Sequence, residues 1–260
     1  MRTIGFQLYS ARNFLPLESV FRLLAQAGYR EVEGYGALYP SLDPGEAMSL
    51  KAKLERNGLT MPTAHFGLDL LEHKVDRVLE IARILGIKSI YCPYLAPEDR
   101  PADAAGWRAF GARLQGASKP YRNAGLDFGW HNHDFEFSPI TDGPVPMELI
   151  LAGGPDLSWE ADVAWIAKGG ADPFVWIKKY ADRISSVHVK DIAPAGEKLD
   201  EDGWADVGHG TLPWGDLMAA LAPTSAKHFI VEHDNPSDLK RLAERSIATI
   251  AAFHAEERVP

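Results

Sequence analysis

The chain has a single cysteine, Cys92, so no intrachain disulfide can form. That suits a reducing compartment, and the expected location is the cytoplasm. No run of about 18 apolar residues occurs, so no membrane-spanning helix is expected. The first residues, MRTIGFQLYS, carry a charge but lack the apolar run of a signal peptide. Basic residues are outnumbered: Lys plus Arg is 27 against 36 Asp plus Glu, a net charge of −9. Such a chain has no overall field to attract nucleic acid or an anionic membrane. A glycine-rich phosphate loop is also missing. After the first strand the sequence reads Gln7-Leu8-Tyr9-Ser10-Ala11-Arg12, which argues against a doubly wound dinucleotide-binding sheet.

What the chain does have is a core. Hydrophobic residues make up 46% of 260 and charged residues 24%, which excludes a disordered chain and suits one large domain over residues 1–260. Short apolar runs at Thr3–Leu8, Arg30–Glu33, Thr60–His65, Lys88–Cys92, Leu126–His131, Leu157–Ala161, Ile184–Val189 and His228–Glu232 read as strands. Helical patterns follow each of them, over 16–27, 44–57, 72–85, 102–123, 146–151, 172–181, 214–221 and 236–254. Glycines 28, 58, 86 and 125 stand where helices should stop. Strict alternation implies parallel strands with helices outside. With units of about 32 residues, the pattern predicts a single (β/α)₈ TIM barrel, an α/β fold. The longest irregular stretch, Asp191 to Pro213, is expected to be a lid.

In such a barrel the site lies at the C-terminal ends of the strands. Ionisable residues gather there: Glu33, His65, His131, His133, Glu160, Asp162, His188, Lys190, Glu232 and Asp234, with Gln7 and Tyr9 on the first strand. Strand side chains alternate, so His131 and His133 share a face, as do Glu160 with Asp162 and His188 with Lys190. Imidazoles and carboxylates from separate strands form the usual shell of a divalent ion such as Mn²⁺, Zn²⁺, Co²⁺, Fe²⁺ or Mg²⁺. His131, Asp162, His188 and Glu232 are the candidate ligands. Each has a bland alternative: Asp162 as a helix cap, Lys190 with Asp191 as a surface ion pair. Tyr9, Trp130 and Trp165 are candidate stacking surfaces for a ligand, although aromatics more often pack a core.

The whole chain resembles the xylose isomerase-like barrels of the sugar phosphate isomerase/epimerase kind. The resemblance is carried by IGFQLYSARN at 4–13, GYREVEGYG at 28–36, HFGLD at 65–69, WHNHDFEF at 130–137, LSWEADVAWIAKGGADP at 157–173, RISSVHVKDI at 183–192, DVGHGTLPW at 206–214 and IVEHD at 230–234. The HNHDFEF segment marks a subgroup. The family holds one divalent ion with Glu, Asp, His and Glu from its last four strands. Asp162, His188 and Glu232 match three of these; His131 stands where the first Glu belongs. His209 likewise replaces a Glu of the late GEG motif.

The resemblance implies a metal-dependent isomerase or epimerase of a sugar, keto-sugar or polyol, removing a proton beside an oxygen held on the ion. With His131 in place, the family's two-glutamate acid/base pair cannot be carried over. The first shell falls from three carboxylates to two, and another base is needed: Lys190 or His133, with Glu160 and Glu136 behind them. Lys190 would need its pKa lowered. Gln7, Tyr9, Glu33, His65, Trp130 and Trp165 are the expected substrate contacts. A lyase or dehydratase working by β-elimination is the alternative chemistry. A DNA-repair endonuclease would need more zinc ligands and a basic face, and a non-catalytic sugar-binding protein would not need candidate bases. Arg12 is the one basic residue near the mouth, so a non-phosphorylated small molecule is the expected partner. A homo-oligomer is compatible with the sequence.

Overall fold

The computed structural model describes residues 3–141 and 143–256. The expected domain limits, residues 1 and 260, lie outside them. Strands β1 (Ile4–Gln7), β2 (Glu31–Gly34), β3 (Thr60–His65), β4 (Ser89–Cys92), β5 (Asp127–His131), β6 (Ser158–Asp162) and β7 (Ile184–Val189) are followed by a small hairpin, β8 (Asp191–Ile192) with β9 (Trp204–Ala205), and then β10 (His228–Val231). The sheet closes in the order β1-β10-β7-β6-β5-β4-β3-β2. All neighbours in the ring are parallel. This is the expected (β/α)₈ barrel.

The helices are α1 (Leu17–Ala27), α2 (Pro44–Arg56), α3 (Leu68–His73), α4 (Val75–Leu85), α5 (Ala104–Asn123), α6 (Pro146–Gly153), α7 (Val163–Lys168), α8 (Pro173–Lys179), α9 (Trp214–Leu221) and α10 (Leu239–Glu256). Local chemistry sets their ends. Asp43 caps α2 in a reciprocal box with Glu46. Gly28 and Gly86 follow α1 and α4 with φ of 114° and 81°, a backbone that side chains with a Cβ resist. Outward strand residues such as Phe6, Val32, Ile90, Trp130, Trp159, Val187 and Phe229 are buried beneath the helices. Each such side chain contributes roughly 1.5–3 kcal/mol of transfer free energy.

Three differences from the sequence reading matter. The helix expected over 72–85 is two, α3 and α4, because Lys74 between them leaves helical backbone at φ −131°, ψ 41°. Helix α7 was not expected; six residues are too few to show a period. Third, the stretch 191–213 is not an irregular lid. It holds the β8–β9 hairpin and is tied down at several points. Asp191 accepts backbone N–H bonds from Ile192 (2.8 Å), Gly208 (2.8 Å), Gly210 (3.2 Å) and Leu212 (3.1 Å). Glu201 accepts from Arg241 (2.6 Å) and from the Ser237 amide (2.7 Å), and Asp206 accepts from Arg241 and Arg245, so the segment is fastened to α10 and the turn before it.

Candidate functional site

A cavity of about 490 Å³ opens where the strands end, lined by Tyr9, Arg12, Tyr35, His65, Tyr94, His131, His133, Trp165, Asp202, Glu232 and Asp234 among others. Its size suits one small molecule. Tyr9 and Tyr94 are 37% and 46% exposed, so they offer aromatic faces to a ligand. Arg12 is less free than its charge suggests. It donates to the carbonyls of Tyr9 and Asp234 and lies 3.8 Å from the Tyr9 ring centroid.

At the base of the cavity, one ligand atom each from His131, Asp162, His188 and Glu232 falls within 4.8 Å of the others. Their positions follow from the barrel. His131 and Asp162 end β5 and β6, His188 is paired with Asp162 across the β6–β7 ladder, and Glu232 follows β10. Asn132 fixes the height of β6. Its Oδ1 accepts the Trp159 indole N–H (2.8 Å) and the Asp162 amide (3.0 Å), while its amide donates to the Asp162 carbonyl (3.1 Å). The helix cap expected of Asp162 is present, and it leaves one carboxylate oxygen over. Its Oδ1 caps α7 by accepting the Trp165 amide at 2.9 Å, and its Oδ2 is buried without a hydrogen-bond partner. His131 Nδ1 makes no hydrogen bond either, although Glu160 Oε2 lies 3.2 Å from it. Burial pushes the Asp162 carboxyl up to about 7. Burial, followed by the neighbouring His188 and His65, holds His131 neutral, well below the ordinary imidazole value. An unpartnered carboxylate oxygen and a neutral imidazole, with ligand atoms within 4.8 Å of one another, fit a divalent cation. Two nitrogens and two carboxylate oxygens suit Mn²⁺, Fe²⁺, Co²⁺ or Zn²⁺.

A second layer lies beneath. His65 Nε2 sits 2.5 Å from Glu160 Oε2 and 3.2 Å from Glu33 Oε1. His188 Nε2 is 2.7 Å from Glu33 Oε1. Gln7 donates to Glu33 Oε1 (2.8 Å) and Ser186 to Glu160 Oε1 (2.8 Å). Burial alone would lower His65, but Glu33 and Glu160 outweigh it and hold the ring protonated, at about 10. Burial likewise works to raise Glu33, yet His65 and His188 keep it well below the usual carboxylate range.

The sequence-predicted residues therefore divide. Tyr9, His65, His131, His133, Trp165 and Glu232 line the cavity, whereas Gln7, Glu33 and Glu160 lie in the layer below it. Trp130, expected to touch substrate, points out of the barrel. It packs edge-on against Phe110, with centroids 5.3 Å apart. Glu136, expected as a base, is fully buried and braces the turn after β5, accepting the Trp130 indole N–H (2.9 Å) and the His133 amide (2.9 Å). His209 binds Arg245 on the outside and lines no part of the cavity.

Lys190 and Asp191 are not a surface pair. Both are buried, and Lys190 donates to Asp234 (2.6 Å) and Glu232 (3.4 Å). The lowered pKa that a basic Lys190 needs is not what its surroundings produce. Burial works that way, but Asp234, Glu232 and Asp162 outweigh it and fix the ammonium as a cation. Trp204, 4.1 Å from Nζ at its centroid, covers it. His133 is the opposite case. Burial and the Lys190 charge push it down to about 3, and its Nδ1 has no partner. Asp234, two residues after Glu232 and so on the same face, also lines the cavity, a position the strand parity points to.

None of the curated proteins matches the sequence. Solved structures match in fold. A sugar phosphate isomerase/epimerase from Parabacteroides distasonis is 20% identical over 96% of this chain and 94% of its own, with a TM-score of 0.78. A D-psicose 3-epimerase, crystallised in the presence of D-fructose, is 13% identical over 98% and 99%, with a TM-score of 0.72. The probable 3-DHS dehydratase AsbF from Bacillus anthracis is 13% identical over 96% and 98%, with a TM-score of 0.71. The family model described as xylose isomerase-like TIM barrel matches residues 21–253, and with the closed barrel above it shows that this chain belongs to the xylose isomerase-like TIM barrel family.

Proposed function

We propose that the protein is a metal-dependent isomerase or epimerase of a small sugar, keto-sugar or polyol. The observation that carries this reading is the buried His131–Asp162–His188–Glu232 set at the floor of a cavity sized for one monosaccharide. A divalent ion held there would supply Lewis-acid polarisation of a substrate oxygen, which eases ionisation of the adjacent C–H bond.

The chain's own groups supply the proton transfers. His133 lines the cavity with an unpartnered Nδ1 and is assigned as the acceptor; burial and the Lys190 charge make it a weak base, and the nearby Glu232 carboxylate is the group that favours its protonation. Lys190 keeps its proton and does not itself line the cavity. It reaches the cavity through Asp234, whose carboxylate it bonds and whose side chain lines the wall. One acceptor and one carboxyl group braced by an ammonium, Asp234, to return the proton are what a proton shift between faces or between adjacent carbons requires. Return to the other face of the same carbon gives an epimer; return to the neighbouring carbon gives an isomer. Tyr9, Tyr94 and Trp165 offer apolar faces to the C–H faces of a sugar ring. Acidic residues at the mouth, and an Arg12 held by two backbone carbonyls and stacked on Tyr9, weigh against a phosphorylated or polynucleotide substrate.

Elimination is the second reading. A neutral base and an ammonium-backed acid in one cavity also suit expulsion of a β-substituent, and the imidazole at position 131 removes the carboxylate pair that a reversible two-base shift would use. Both readings share a first step. Metal-free protein should be reloaded with Mn²⁺, Co²⁺ or Zn²⁺ in D₂O and offered aldoses, ketoses and keto-sugars, with C–H exchange followed by NMR. Ion-dependent exchange is expected, and His188→Ala should lose ion and exchange together. Exchange that is indifferent to the ion, or DNA nicking in its place, would overturn the reading.

A further inference from the structure

Every imidazole has two nitrogens, and at His188 each faces a different carboxylate. Nδ1 lies 2.9 Å from Glu232 Oε2 and 3.9 Å from Asp162 Oδ2, on the side of the candidate ligand set. Nε2 lies 2.7 Å from Glu33 Oε1, on the side of the lower layer. We infer that Glu33 is a positioning residue: it takes the Nε2 proton of His188, leaving the Nδ1 lone pair turned toward the divalent ion. The inference rests on the metal-site reading above and adds a residue to it.

Glu33 is built for that task. It is fully buried on β2, on the far side of the barrel interior from β6, so no water competes for its oxygens. Its Oε1 is fixed by a third group, the Gln7 amide at 2.8 Å, and by His65 Nε2 at 3.2 Å. His65 in turn bridges to Glu160 (2.5 Å), which lies 3.2 Å from His131 Nδ1. The lower layer is thus a hydrogen-bonded group that holds His188 and comes within 3.2 Å of His131 without bonding it. A carboxylate behind a ligating histidine fixes its tautomer and ring angle and raises its basicity; its removal typically costs about 10–100-fold in metal affinity.

The same layer has the residue types of an ion site itself, since His65, His131, Glu160 and His188 also fall within 4.8 Å of one another. The hydrogen bonds favour the positioning role. His65 and His188 each already have a carboxylate within 2.7 Å of Nε2, so an ion there would displace protons that are well placed.

The test is Co²⁺ titration of metal-free protein under chelator competition, reading affinity, stoichiometry and the visible ligand-field spectrum. Wild type is expected to bind one Co²⁺. Glu33→Ala should bind about 100-fold more weakly with an altered spectrum, and Glu33→Gln, which keeps an acceptor oxygen, about 10-fold more weakly. Near-ultraviolet circular dichroism of both variants checks that the barrel is intact, and Glu33→Gln serves if Glu33→Ala does not fold. Affinity and spectrum equal to wild type in a folded variant would overturn the inference while leaving the metal site standing. Two Co²⁺ in wild type and one in Glu33→Gln would make Glu33 part of a second ion site and overturn it too. A wild type that takes up no Co²⁺ would overturn this inference and the metal reading together.

Discussion

Replacing His133 by Phe should make the metal-free protein resistant to mild acid. The imidazole sits among rings: His131 at 5.2 Å, Tyr94 at 5.4 Å, Trp165 at 5.4 Å and Phe135 at 6.2 Å between centroids. Burial there, reinforced by the Lys190 charge, lowers it from 6.5 to about 3. The unfolded chain therefore binds a proton that the folded chain refuses. Stability is retained above 6.5 and lost as the pH falls from there toward 3. With 1.36 kcal/mol per unit, the loss between about pH 7.5 and about pH 5 is roughly 2 kcal/mol, at a slope near 1.3 kcal/mol per pH unit at the acid end. His65, whose ring gains stability over the same range, is present in both proteins and cancels. Urea unfolding in chelator at several pH values measures the difference. The Phe variant should gain on wild type by roughly 2 kcal/mol toward about pH 5. Parallel profiles would show that His133 titrates as in the unfolded chain, which would refute both its burial and its assignment as a proton acceptor held neutral.

Lys190→Met should keep the ion, since Lys190 is outside the ligand set, while turnover falls by about 10²-fold or more. Metal analysis beside a rate measurement checks this, and unchanged turnover would show that Asp234 does not need Lys190 behind it. Leaving Glu232 and Asp234 without their buried cation should also cost about 3 kcal/mol in chelator, measurable by denaturant. Asp191→Ala orphans four backbone N–H groups and should cost roughly 3 kcal/mol or more. Limited proteolysis should then nick the chain within 191–213; a protected segment would show that Asp191 is not its anchor.

Much of this was legible before any coordinates. Alternating apolar runs and helix stops specify the barrel because periodicity and capping are local properties of a sequence. Parity gave the inward face of each strand, and it would also have turned Trp130 outward, since it precedes an inward His131. Depth was not legible. Glu160 and Asp162 share a face yet sit about 6.6 Å apart along the strand, enough to put one in the lower layer and one among the candidate ligands. Which layer each joins depends on the register of neighbouring strands, here Glu160 with Ser186 and Asp162 with His188. Tertiary partners were equally hidden: Lys190 with Asp234, His188 with Glu33, and the hold of Asp191 on its own loop join residues whose separation in sequence carries no signal. Sequence fixes what each strand presents and to which side. Closure of the barrel decides what those side chains face, and so which are neutral, which are charged and which reach the cavity.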